Sequence, residues 1–134
     1  MASDASANHR GLLDTSIFIA REAGRPLGEL PEAAAISVVT MAELYLGILM
    51  ARGAGIRARR LGTLTAVQNT FEPIPIDSEV ARTFAELVAE ARRRGKRPKI
   101  MDTWIAATAL TLDLPIYTQD EDFGLIPRVR VERV

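Results

Sequence analysis

The sequence predicts an α/β domain of three layers, helices on both sides of a mainly parallel five-stranded sheet. Three observations predict it. Short apolar runs alternate with segments of helical periodicity along the chain. The run from Ala34 to Val39 is apolar on nearly consecutive residues, as suits a strand covered on both faces. Acids recur just past these runs or at helix starts, the edge of an open parallel sheet where ligands gather. The 134 residues suit one domain. Residues 1–10, small and polar, are expected to form a flexible N-terminal tail, and residues 11–134 a single domain.

The elements follow in order. Gly11 to Asp14 reads as the first strand, ending on an acid, with a helix from near Ser16 to about Ala23. Gly24 to Gly28 is a turn by its Gly and Pro content. Ala34 to Val39 is a second, doubly buried strand. Thr40 and Glu43 have capping-box spacing, so Thr40 is the expected N-cap of a helix that continues through Leu44, Ile48 and Leu49. A further helix runs from about Ile56 to Asn69, with Ile56, Leu64, Val67 and Phe71 inward. Glu72 to Asp77 is a third strand, and Pro73 and Pro75 make it short or peripheral. Ser78 opens a helix to Arg94 with Val80, Phe84, Leu87, Val88 and Ala91 on one stripe. Gly95 and Pro98 end it. Asp102 starts a helix to about Leu112 that is apolar almost all round, as suits a central position. Leu114 to Thr118 and Val129 to Val131 complete the strands.

Composition narrows the chemistry. The chain has no cysteine, which excludes disulfides, thiolate metal sites and a cysteine nucleophile. The N-terminus has no signal-peptide pattern and no apolar run is long enough to span a membrane. A cytoplasmic protein is expected. Net charge is zero, with 17 basic and 17 acidic residues, so distribution matters more than total. Residues 92–99 hold six cations in eight positions: Arg92, Arg93, Arg94, Lys96, Arg97 and Lys99.

Asp14, Glu43, Asp102, Asp120 and Asp122 all fall at strand ends or helix starts. Singly, each has a structural explanation: a turn acceptor, a capping-box acid, an N-cap. Together they converge on one edge of the sheet, where packed carboxylates repel and a divalent cation relieves the repulsion. Oxygen donors without Cys or a nearby His favour Mg²⁺ or Mn²⁺ over zinc. The only histidine, His9, lies in the tail. Such a site suits hydrolysis at phosphorus by metal-activated water.

Four segments carry a resemblance: Leu12-Leu13-Asp14-Thr15-Ser16, Ala42-Glu43-Leu44, Met101-Asp102-Thr103-Trp104-Ile105-Ala106-Ala107-Thr108-Ala109 and Thr118-Gln119-Asp120-Glu121-Asp122-Phe123. In this order and spacing they resemble the acidic motifs of PIN domains, most closely those of VapC-type toxins from toxin–antitoxin pairs, over about residues 11–132. The resemblance implies a PIN-like fold and a Mg²⁺- or Mn²⁺-dependent endoribonuclease silenced by a cognate VapB-type antitoxin. It places Asp14, Glu43, Asp102 and Asp120 as the catalytic, metal-site acids. It makes Asp122 an acid that joins the site in some members, and Thr15 and Thr118 hydroxyls beside the metals. A homodimer is expected. The cationic segment from Arg92 to Lys99 is a candidate track for RNA phosphates, against the plainer reading of a helix end stabilised by the dipole. Trp104 is expected in the core rather than on a base. Two alternatives stand beside this reading. One is a PIN-like module that binds RNA or protein without catalysis. The other is a phosphoacceptor receiver domain, disfavoured because Asp14 is alone after its strand and no lysine follows Thr118.

Overall fold

The computed structural model describes residues 9–134. Its elements are β1 (Arg10–Leu13), α1 (Thr15–Glu22), β2 (Ala33–Ala35), α2 (Val38–Leu49), α3 (Ala54–Thr70), α4 (Ser78–Arg93), α5 (Ile100–Thr111), β3 (Ile116–Thr118), a 3₁₀ turn (Glu121–Leu125) and β4 (Val131–Arg133). The sheet has four strands in the order β2-β1-β3-β4, all parallel. Leu12 pairs with Ile116 and Leu13 with Tyr117. Alternation along a strand sends these two pairs to opposite faces. Leu12 and Ile116 join Leu87, Ile105 and Phe123 in one buried cluster, against α4 and α5. Leu13 and Tyr117 join Ile17, Phe18, Leu44 and Leu64 in the other, against α1, α2 and α3. Those two clusters are the cores of a three-layer α/β/α domain, the class predicted.

The strand count is four, not five. Glu72–Asp77 contributes a single bridge, between Ser37 and Ile74. The Ile74 N–H donates to Ile36 and its carbonyl accepts from Val38, but Pro73 and Pro75 on either side have no N–H to extend a ladder. The second strand is also shorter than expected, because Val38 and Val39 belong to α2. Ser37 caps that helix, its hydroxyl accepting from the Val39 N–H at 3.0 Å. Thr40, the expected N-cap, lies inside the first turn and is fully buried. Leu49 and Ile56, expected inward, are 77% and 36% exposed.

Three smaller shifts have local causes. Helix α1 starts at Thr15 rather than Ser16, capped by Asp14, which accepts from the Ser16 N–H. Helix α5 begins at Ile100, so Asp102 sits in its first turn and not before it. The start is fixed at Lys99, whose carbonyl accepts from both the N–H (3.0 Å) and the hydroxyl (2.8 Å) of Thr103. The last strand lies two residues later than expected, at Val131–Arg133. Trp104 stacks on Phe84 with ring centroids 3.7 Å apart, packed against the core as anticipated. The tail expected over residues 1–10 lies outside the described residues except for its last two. Of these, Arg10 opens β1 and the His9 carbonyl accepts from the Ala33 N–H.

Candidate metal centre

The carboxyl ends of β1 and β3 lie side by side in the centre of the sheet, and the site is built on them. Asp14 follows β1 directly and is 4% exposed. Its Oδ2 accepts from the Thr118 hydroxyl at 2.9 Å and from the Ser16 N–H at 3.3 Å. Thr118 ends β3 and has one hydroxyl proton, which goes to Asp14. Its oxygen accepts from the Asp120 N–H at 2.9 Å. The Ser16 hydroxyl, 3.1 Å from it, is therefore the donor of that pair. Ser16 Oγ in turn accepts from the Gln119 N–H at 3.0 Å. A chain of hydroxyls thus locks the loop after β1 to the loop after β3.

The other acids enter from helices and the 3₁₀ turn. Glu43 projects from the second turn of α2, where Ser37 rather than Thr40 sets the helix start. Its Oε1 accepts from the Thr15 hydroxyl at 2.6 Å. Thr15 Oγ1 is also 3.0 Å from the buried Thr40 hydroxyl. Asp102 lies in the first turn of α5 and is 7% exposed. Asp120 caps the 3₁₀ turn, its Oδ1 accepting from the Asp122 N–H at 2.9 Å. Asp14, Glu43, Asp102 and Asp120 line one cleft of about 550 Å³. Carboxylate oxygens of Asp102, Asp120 and Asp122 come within 4.8 Å of one another.

Burial pushes the Asp102 carboxyl up to about 7, helped by the Asp14, Asp120 and Glu43 carboxylates and opposed by Lys99. Glu43 is also raised, first by burial and then by Asp14, with the Thr15 hydroxyl and Lys99 pulling the other way. Oδ2 of Asp102 is buried without a hydrogen-bond partner. A buried carboxylate oxygen left open beside three other acids is costly unless a cation meets it. The donors are all oxygen and His9 pairs instead with Glu32, at the far end of β1. This set fits a hard divalent cation, with Asp14, Glu43, Asp102, Asp120 and Asp122 as the residues able to hold it.

The cationic residues divide. Arg94 pairs with Glu90 at 3.4 Å, and Lys99 pairs with Asp122 at 3.0 Å. Arg92, Lys96 and Arg97 line a separate hollow of about 220 Å³ that shares Ile100 with the acid cleft. Arg93 is exposed at the end of α4. Sequence reasoning missed Ser16 and Thr40 as supports of the acids. The hydroxyl of Ser16 stood in plain view beside Asp14-Thr15. Thr40 was hidden by the misplaced helix start.

The comparisons with known proteins agree with this geometry. Residues 11–129 match the PIN domain family. Ribonuclease VapC5 of Mycobacterium tuberculosis is 47% identical over 118 residues, 87% of either chain. Ribonuclease VapC4 of the same organism is 44% identical over 124 residues, 91% of this chain and 95% of that one. A crystal structure of VapBC-5, a member of the VapBC family of toxin–antitoxin systems from M. tuberculosis, matches with a TM-score of 0.82 at 43% identity, covering 94% of this chain and 98% of that chain. With a family match over nearly its whole length and relatives this similar, the chain belongs to the PIN-domain family, in its VapC group.

Proposed function

We propose that this chain is a metal-dependent endoribonuclease, the toxin of a toxin–antitoxin pair. The observation that carries the reading is the buried, unpartnered Asp102 Oδ2 in a cleft shared with Asp14, Glu43 and Asp120. Mg²⁺ or Mn²⁺ bound there would lower the pKa of water and stabilise charge on the phosphoryl group. The chain's own part is to hold the carboxylates still. Thr118 and Ser16 fix Asp14, and Thr15 fixes Glu43. Among the described residues no histidine faces the cleft, so proton transfer falls to carboxylates and solvent. Arg92, Lys96 and Arg97, next to the cleft, suit the phosphates of a bound strand.

A VapB-type antitoxin is the proposed partner, in the cytoplasm. Relatives named VapC and the VapBC complexes support this. So does the apolar rim of the cleft, where Ile19, Leu46, Met50 and Ile100 are each half or more exposed. A homodimer is proposed on the same kind of surface, with Leu49 and Tyr45 exposed on α2.

The test is cleavage of total cellular RNA by purified, partner-free protein with Mg²⁺, Mn²⁺ or EDTA, with Asp14→Asn alongside. Discrete fragments that need metal and vanish in the variant are expected. Folded protein that cuts nothing under any metal would leave the binding-module reading in its place.

A further inference from the structure

Among the described residues, Lys99 is the only cation paired with an acid of the cluster. Its Nζ sits 3.0 Å from Asp122 Oδ2. Asp122 is one of the three acids whose oxygens gather within 4.8 Å. The placement is fixed by the backbone: Lys99 is the cap residue of α5, its carbonyl gripped twice by Thr103. The Lys99 backbone is therefore fixed three residues before Asp102, with its side chain on the rim of the same cleft.

Its neighbours behave differently. Among the described residues Arg92, Arg93, Lys96 and Arg97 have no ion pair. They are free to meet phosphate, whereas Lys99 is already engaged. Its side chain is 67% exposed. An exposed pair of this kind holds weakly and yields without stranding a buried charge.

We propose that the Lys99 ammonium is a tethered counter-cation of the metal site, holding Asp122 in the ion-free protein and competing with the incoming divalent cation for that carboxylate. The inference rests on the metal-site reading given under Proposed function. Its consequence is a site that takes up the ion less tightly than its carboxylates alone would, and that carries its own positive charge when the ion is absent.

The experiment is calorimetric titration of the intact chain with Mn²⁺ alone, comparing wild type, Lys99→Met, Lys99→Arg and Asp14→Asn. Met keeps the apolar stem and removes only the charge. Lys99→Met is expected to bind Mn²⁺ ~3- to 10-fold more tightly, with the gain shrinking as KCl is raised. Lys99→Arg, which retains the charge, is expected to stay within about twofold of wild type, and Asp14→Asn to bind more weakly. Equal or weaker binding by Lys99→Met, with wild type still binding, overturns the proposal and leaves the metal site standing. If Lys99→Met changes only RNA affinity, Lys99 is a phosphate contact and the proposal is wrong. Absence of Mn²⁺ binding in every protein removes the metal site and the proposal together.

Discussion

Asp102→Asn in the ion-free protein is expected to be inactive and yet more stable than wild type at alkaline pH. The carboxyl's ordinary value of 3.8 rises to about 7 in the folded chain, chiefly because it is buried. Below pH 3.8 the folded and unfolded states are both protonated and nothing is lost. As pH rises, the unfolded chain ionises first, so the folded state is left holding the extra proton and stability falls. The loss stops near pH 7, where the folded group ionises too. At ~1.4 kcal/mol per pKa unit, the full cost is about 4 kcal/mol, and between pH 5 and pH 8 about 2–3 kcal/mol. Glu43, raised for the same first reason, adds to it in the same direction. An amide at position 102 never ionises, so its own share disappears.

Thermal melts in EDTA from pH 5 to 8 read this directly. At ~3 °C per kcal/mol for a chain of this size, wild type is expected to lose about 6–9 °C over that range. Asp102→Asn is expected to lose less, and to melt above wild type at pH 8. Mn²⁺ at 100 times its Kd should close most of that gap, since it stabilises wild type by ~2.7 kcal/mol against a cost of about 4 kcal/mol. A flat wild-type profile in EDTA, or a variant less stable than wild type at pH 8, would refute the reasoning.

Two further outcomes follow from the packing around the site. Thr118→Val keeps the shape of the side chain but removes the donor to Asp14 Oδ2 and the acceptor of the Asp120 N–H. It is expected to cost ~1–3 kcal/mol in urea unfolding and to weaken Mn²⁺ binding ~10-fold, and full metal affinity would show that the hydroxyl chain does not orient the acids. Gly11→Ala places a methyl against the Tyr117 ring, where β1 runs beside β3. A loss of ~1–3 kcal/mol in denaturant midpoint is expected, and a neutral result would mean the ring moves aside freely.

Asp14 was legible because an apolar run that stops at an acid followed by hydroxyls is a local pattern, and the strand and the helix cap both form there. Glu43 had a local explanation that the fold overturns. Its place near a helix start and the resemblance pointed at it, while the plainer capping-box reading from Thr40 fails because Ser37 starts the helix and Glu43 faces Thr15, a residue 28 positions away. The third strand misread itself in the other direction. Alternating Ile and Pro looks like a strand, but a ladder needs N–H groups that proline lacks. Lys99 belonged to a charge run whose members are alike in sequence. Only the fold turns one of them back onto Asp122 and leaves its neighbours outward. Hydrogen bonds such as Thr118 to Asp14, which join residues 104 apart, have no local signature at all.

The pairing of β1 with β3 sets an order of events during synthesis. β1 leaves the ribosome early, but the strand that lies against it, which ends at Thr118 just before Asp120, comes about a hundred residues later. Until it arrives, β1 has β2 on one edge and nothing on the other, and Asp14 lacks the hydroxyl that orients it. Closing so long a loop is the slow part of folding a small domain. A nascent chain therefore carries no assembled cleft until Thr118 and Asp120 have emerged to meet Asp14.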